Sequence, residues 1–166
     1  MNPLIRPYQD SDFETITNLV SCLHQYFKSI DTSGQVRAPS TKEKAAAYTR
    51  QALADVHNLH GTILVAETAN HLVGFIQGVV IDHHDETMHQ LTHKETKEGW
   101  IGLLFIKPES RGQGLGKALI TALKTHFIDQ GCHLVKLKVA TDNQSAIDIY
   151  SSLGFTTTNL EMSLQI

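Results

Sequence analysis

The sequence predicts one α/β domain of the α+β kind. Runs with strand alternation and runs with helical spacing follow one another in the order β-α-α-β-β-β-α-β-α-β. A glycine-rich stretch, Arg111-Gly112-Gln113-Gly114-Leu115-Gly116-Lys117, stands between an apolar strand-like run and an amphipathic helix-like run. The length of 166 residues suffices for a single sizeable core without disulfides or metals. With no internal repeat or low-complexity tract to mark a boundary, residues 1–166 read as a single domain.

Each element has its own signal. Leu4 to Tyr8 reads as a first strand, and Ser11-Asp12-Phe13-Glu14 as a capping box opening a helix. Phe13, Ile16, Leu19, Val20, Leu23 and Phe27 fall on one side of that helix. Asp31 to Pro39 is a polar loop, after which Ser40-Thr41-Lys42-Glu43 is a second capping box leading an Ala-rich helix to about His57. Thr62 to Glu67 and Leu72 to Ile81 form a hairpin pair turning near Asn70. A polar loop from Asp82 to Gly99 precedes a buried strand from Trp100 to Ile106. Beyond the glycines, Leu115, Ala118, Leu119, Ala122 and Leu123 recur at helical spacing. Leu134 to Ala140 is the next strand, and a short helix follows Asn143. A last hairpin is expected from Phe155 to Thr158 and Leu160 to Leu164.

Composition narrows the function classes. Apolar residues make up 41% and charged residues 19%, the profile of a soluble globular protein, and no apolar run is long enough to span a bilayer. The N-terminus lacks a basic-then-apolar leader, so the expected compartment is the cytoplasm, with no membrane partner. A net charge of −3 argues against a general nucleic-acid binder, although ten histidines make the surface potential depend on acidity. Cys22 and Cys132 form no CxxC pair and read as reduced, packed thiols.

The glycines sit at a helix N-terminus, where the first backbone N–H groups lack intrahelical partners and the dipole favours negative charge. Side-chain-free residues there let phosphate oxygens approach the main chain, and Arg111 and Lys117 add positive charge. A Walker A loop fails, because Arg111 stands at its first glycine and Ala118 at its hydroxyl. A Rossmann fingerprint fails because its third glycine would fall on Lys117. What remains is Arg-x-x-Gly-x-Gly after a strand ending Ile106-Lys107-Pro108-Glu109, with a plain turn opening a helix as the alternative. A second block runs from Val139 to Phe155 as strand end, polar cap and short helix closed by Gly154. Asn143 and Tyr150 lie seven residues apart, about 10 Å along one helix face. Alternatively Ala146, Ile149, Tyr150 and Leu153 are simply that helix's core side.

Together the two blocks resemble the GNAT N-acetyltransferase superfamily, and the order of segments extends the resemblance over nearly the whole chain. The resemblance implies a GNAT fold: a mixed, mostly antiparallel sheet of about six to seven strands, flanked by about four helices and splayed between the fourth and fifth strands. It implies acetyl transfer from acetyl-coenzyme A, as co-substrate, to a primary amine of a small molecule or an exposed protein or peptide amine. Attack is direct, in a ternary complex, and no metal is expected. Coenzyme-binding residues carried over are Leu104, Phe105 and Ile106 on the strand, Arg111 through Lys117 in the loop, and Asn143 and Tyr150 on the last helix. The tyrosine at this position is implied to give a proton to the leaving thiolate, a role assigned to Tyr150 alone.

The base departs from the family pattern, because Gly102 and Leu103 stand where many relatives carry a carboxylate. Glu98 shares the strand face of Gly102 but lies about 13 Å back, close enough to act through water. Glu67, His83, His84 and bulk water are rival bases. His89-Gln90-Leu91-Thr92-His93 has zinc-helix spacing but has glutamine where a zinc hydrolase needs glutamate. A non-catalytic acyl-coenzyme A binding or sensing module is the alternative function. A homodimer through an edge strand or the final hairpin is compatible with such a fold.

Overall fold

The computed structural model describes residues 3–31, 34, 36–82, 97–159 and 161. Five strands form one sheet in chain order: β1 (Leu4–Pro7), β2 (Thr62–Thr68), β3 (His71–Asp82), β4 (Lys97–Ile106) and β5 (Leu134–Leu137). The first four pair antiparallel and β5 joins β4 in parallel. Helices α1 (Phe13–Ile30) and α2 (Lys42–Asn58) cover one face, α3 (Leu115–Asp129) covers the other, and α4 (Gln144–Ser152) follows β5.

Two cores result. Ile16, Leu19, Val20 and Leu23 of α1 pack on Val65, Phe75 and Phe105, while Leu119, Leu123 and Phe127 of α3 pack on Ala66, Ile76 and Ile101. Strands buried on both faces read as continuous apolar runs, as Leu72 to Val80 does apart from Gln77 and its glycines. The β2–β3 hairpin turns on Ala69 (φ 49°) and Asn70 (φ 62°), between paired Thr68 and His71. Positive φ at both residues is what a two-residue type I′ turn demands. Gly78 and Gly99 have a different reason: a Cβ on Gly78 would lie 2.6 Å from Phe127 Cζ, and one on Gly99 would strike the same ring. These glycines let α3 settle its phenyl ring onto the backbone of β3 and β4.

Several details depart from expectation. Five strands stand among the described residues, fewer than the expected six to seven. Phe155–Thr158 joins no ladder, and most of the second arm expected for its hairpin lies outside the described residues. A strand exists only where its backbone finds a partner, and a sequence pattern does not supply one. For the same reason β5 stops at Leu137 rather than Ala140, and β4 begins at Lys97 because it pairs with Asp82. Ser11 and Glu14 do not box the start of α1: its N-cap is Asp12, with no side-chain cap bond, and Asp12 instead closes a capping box with Gln9 at the preceding 3-10 turn. Arg6 takes both its oxygens, at 2.7 and 3.0 Å, and the Gln9 amide donates to it at 2.9 Å. The second helix is capped by Thr41, whose hydroxyl accepts from the Lys44 amide at 3.3 Å, rather than by Ser40. Cys22 is exposed on α1 rather than packed, while Cys132 is partly buried. Among the described residues no helix is long and apolar enough to cross a membrane.

The Phe127 seat is testable. Gly99→Ala should destabilise the fold by about 1–3 kcal/mol, because the ring must be displaced from a packed core. Urea denaturation measures this, and an unchanged midpoint would mean that α3 shifts freely on the sheet.

Candidate active site

The chain leaves β4 through a 3-10 turn at Pro108–Ser110 and enters α3 across the glycines. Gly112 (φ 76°) and Gly114 (φ 77°) adopt the left-handed conformation that side chains disfavour, and Gly114 is the N-cap of α3. Ala118 is the first amide bonded back, to the Gly114 carbonyl at 3.0 Å. The amides of Leu115, Gly116 and Lys117 therefore have no intrahelical acceptor and form a positive helix end. Gly116 differs from its neighbours. A Cβ there would meet nothing within 4 Å and its φ is not positive, so the fold itself gives no reason for a glycine. Arg111 folds back on this loop: Nε donates to the Ile106 carbonyl at 3.1 Å, and the guanidinium lies 5.4 Å from the Tyr26 ring centre and 6.0 Å from that of Phe105.

Beside this loop the sheet opens. Parallel pairing runs from Glu98 and Leu134 to Ile101 and Leu137 and then stops, although β4 continues to Ile106. In an antiparallel ladder, successive residues direct their N–H and C=O alternately to either side. Ile106 offers its carbonyl to Arg111 while the Lys107 amide bonds Val73 of β3 at 2.8 Å. The alternation places the N–H and C=O of Leu104 on the open side, facing away from β3. Phe105 turns its side chain into the α1 core.

Across the opening stands α4. Asn143 caps it and is 8% exposed; its Oδ1 accepts from Tyr26 Oη and Ser145 Oγ at 3.2 Å and from the Ala146 amide at 3.4 Å. Tyr150 packs partly buried against the α3 core, edge-on to Phe155 with ring centres 5.6 Å apart. Burial pushes its hydroxyl up to about 12, so it is a protonated donor at neutral pH. Of the residues singled out in the sequence, the strand end, Arg111 and Asn143 are brought together, linked through Tyr26; Tyr150 lies along α4 from Asn143.

On the α2 side of β4 lies a cleft of about 270 Å³, lined by Tyr48, Asp55, Gln77, Val79, Trp100, Gly102 and Leu103 among others. Its floor is a bulge: Ile101 pairs with Gly78 and Leu103 with Gln77, leaving Gly102 as the extra residue. A Cβ on Gly102 would strike Gln77 Oε1, and Gln77 is itself 6% exposed. No carboxylate fits at position 102 while Gln77 holds this place, and Leu103 is committed to the α1 core. Glu98 does not line the cleft; it is 6% exposed and accepts from Lys136 Nζ at 2.7 Å. Glu67 pairs with Arg6 Nε at 3.0 Å. His83, His84, His89 and His93 lie outside the described residues.

Sequence reasoning missed Gln77, Asp55 and Tyr26. One polar side chain inside the apolar run of β3 was the signal for Gln77. Asp55 stands one turn after Gln51, which donates to it at 2.7 Å, and the pair looks like any solvated helix face. Nothing in sequence distance links Tyr26 to Asn143.

Residues 24–155 match the sequence model of the acetyltransferase (GNAT) family. The chain belongs to that family. A mycothiol acetyltransferase of Paenarthrobacter aurescens (strain TC1) is 37% identical over 79 residues, 48% of this chain and 24% of the relative. The N-acetyltransferase 8F1 of Rattus norvegicus is 31% identical over 118 residues, 69% of this chain and 50% of the relative. The chain thus spans half or less of the length of these two GNAT relatives. A predicted acetyltransferase of Clostridium acetobutylicum, solved with acetyl-coenzyme A, shares the fold at a TM-score of 0.71, with 18% identity over 99% of this chain and 96% of that one.

The raised Tyr150 hydroxyl makes a prediction for alkaline stability. Unfolded tyrosine ionises near pH 10 and the folded one near 12, so over that window the unfolded state binds fewer protons and folding stability falls as pH rises. Tyr150→Phe should flatten this decline in denaturation midpoints measured from pH 9 to 12. An equally steep decline in the variant would assign the loss to other groups.

Proposed function

We propose that the chain transfers an acetyl group from acetyl-coenzyme A to the primary amine of a small cationic molecule with an apolar body, by direct attack in a ternary complex. The observation that carries this reading is the edge of β4 beyond Ile101, which no strand pairs among the described residues. It runs from the amides of the glycine loop, past Leu104, to the Gly102 bulge where the α2-side cleft begins. Coenzyme and amine thereby approach the same stretch of backbone from opposite sides. Kinship with acetyltransferases, one of them solved with acetyl-coenzyme A, supports the donor.

The residues present fit the coenzyme. The Leu115, Gly116 and Lys117 amides with Arg111 suit the pyrophosphate, and Gly116, a glycine the protein's own packing does not require, leaves room for an oxygen to approach. Leu104 offers its N–H and C=O to the pantetheine as a neighbouring strand would. The same N–H is placed to receive the carbonyl oxygen as it gains negative charge. Tyr150 gives its proton to the departing sulfur. On the cleft side, Asp55 attracts the ammonium, and Trp100, Tyr48 and Val79 hold the apolar body. Gln77, in the place of the missing carboxylate, accepts from the amine N–H rather than taking its proton. That proton leaves through water toward Glu98, which Lys136 holds in place on the same strand.

Release of free thiol from acetyl-coenzyme A in the presence of small aromatic and aliphatic amines tests the reading. Amine-dependent release is expected. Coenzyme binding without release across the panel would favour the second reading, a non-catalytic acyl-coenzyme A binding module, which the carboxylate-free bulge at Gly102 suits. Tyr150→Phe should lower kcat about a hundredfold with coenzyme affinity unchanged, and Glu98→Gln should lower it about tenfold. Gly116→Ala should stabilise the free protein by about 0.5–1 kcal/mol, since alanine is the better helix residue, while weakening coenzyme A binding. Thermal melts with and without coenzyme A read both signs of that trade; stabilisation with unchanged binding would remove the loop from the site.

A further inference from the structure

Tyr26 lies on α1, far in sequence from both functional blocks, yet it touches each of them. Its ring faces the Arg111 guanidinium at 5.4 Å, and its hydroxyl donates to Asn143 Oδ1 at 3.2 Å. Arg111 belongs to the loop after β4, and Asn143 begins the helix after β5. The tyrosine therefore bridges the two sides of the opening in the sheet. Three donors converge on Asn143 Oδ1: Tyr26, Ser145 and the Ala146 amide. A planar amide with its oxygen so committed has one orientation, with Nδ2 turned to the opposite side. Asn143 is more than nine-tenths buried, and the hydrogen bonds that fix it run to Oδ1, which leaves Nδ2 as the donor for a ligand. An amide held in one orientation donates in one direction, and a ligand carbonyl in the opening is the acceptor that suits it.

Arg111 is held in the same way. Ile106 takes its Nε, and the faces of Tyr26 and Phe105 carry its guanidinium, leaving the terminal nitrogens for an anion at the glycine loop. We propose that Tyr26 is a positioning residue for the coenzyme: its ring seats Arg111 for the pyrophosphate, and its hydroxyl turns Asn143 so that Nδ2 donates to a pantetheine carbonyl. This rests on the coenzyme reading given above. It assigns to α1 a part in coenzyme binding that neither sequence block contains.

Calorimetric titration with two probes separates the two halves. Coenzyme A carries both the pyrophosphate and the pantetheine, whereas 3′-phosphoadenosine 5′-diphosphate keeps the pyrophosphate alone. Tyr26→Phe keeps the ring and removes the hydroxyl, so coenzyme A affinity should fall about fivefold while affinity for the diphosphate stays unchanged. Tyr26→Leu removes both and should weaken the diphosphate as well. In an Asn143→Ala background, Tyr26→Phe should cost coenzyme A nothing further, an outcome that a merely structural tyrosine would not give. Unchanged or tighter coenzyme A binding by Tyr26→Phe overturns the proposal, the latter because the bridge would then be an obstruction. Additive losses in the double variant overturn it too. If the parent protein binds no coenzyme A, the coenzyme reading itself fails, a result distinguishable from these. Should Tyr26→Leu not fold, the Tyr26→Phe comparisons decide alone.

Discussion

Backbone N–H and C=O groups inside a sheet are costly to leave without partners, yet among the described residues no strand pairs with β4 on its β5 side beyond Ile101. Everything that distinguishes this domain from a plain layered α/β fold is arranged around that break. Leu137 is the last residue of β5, so the chain turns away and starts α4 at Asn143 instead of extending the ladder. Arg111 satisfies one of the exposed acceptors, the Ile106 carbonyl, from within the loop. Leu104 stays open, and it lies between that loop and the bulge. A strand-like ligand with amide groups and an anionic end is what such an edge selects, and the pantetheine and pyrophosphate of coenzyme A supply both.

The other side of β4 is governed by a single steric exclusion. Gln77 and Gly102 occupy one space between them, and the strand bulges there so that Ile101 faces the α3 core and Leu103 the α1 core. With glycine at 102 and Leu103 in the α1 core, no carboxylate stands here, and Gln77 puts a neutral amide at the floor of the cleft. The nearest strand carboxylate, Glu98, is buried and paired with Lys136. On the proposed function, proton removal would be indirect, and orientation of the amine would carry more of the work than base strength.

The backbone geometry of the proposed coenzyme half was legible because it is local. Glycines before an amphipathic helix, and an asparagine and tyrosine two turns apart, are fixed by backbone geometry over a few residues. Gly112 and Gly114 do take the left-handed conformations such a loop needs. The acceptor half depends on which strands pair and in what register, which sequence spacing does not determine. Counting by twos put Glu98 on the face of Gly102 and left it four residues away, but it could not foresee that a bulge would set Gln77 against Gly102. The first capping pattern failed because Arg6, on the neighbouring strand β1, takes the Asp12 carboxylate. Phe155–Thr158 has strand-like sequence and no ladder.

Amide hydrogen exchange with and without coenzyme A tests the central claim, that the unpaired edge of β4 and the glycine loop together are the coenzyme's seat. Binding should slow exchange at Leu104 and at Leu115, Gly116 and Lys117, while the Phe105 amide, directed toward β3, changes little. Protection confined to other surfaces, or none at saturating coenzyme A, would contradict the account and leave the break in the sheet without a ligand.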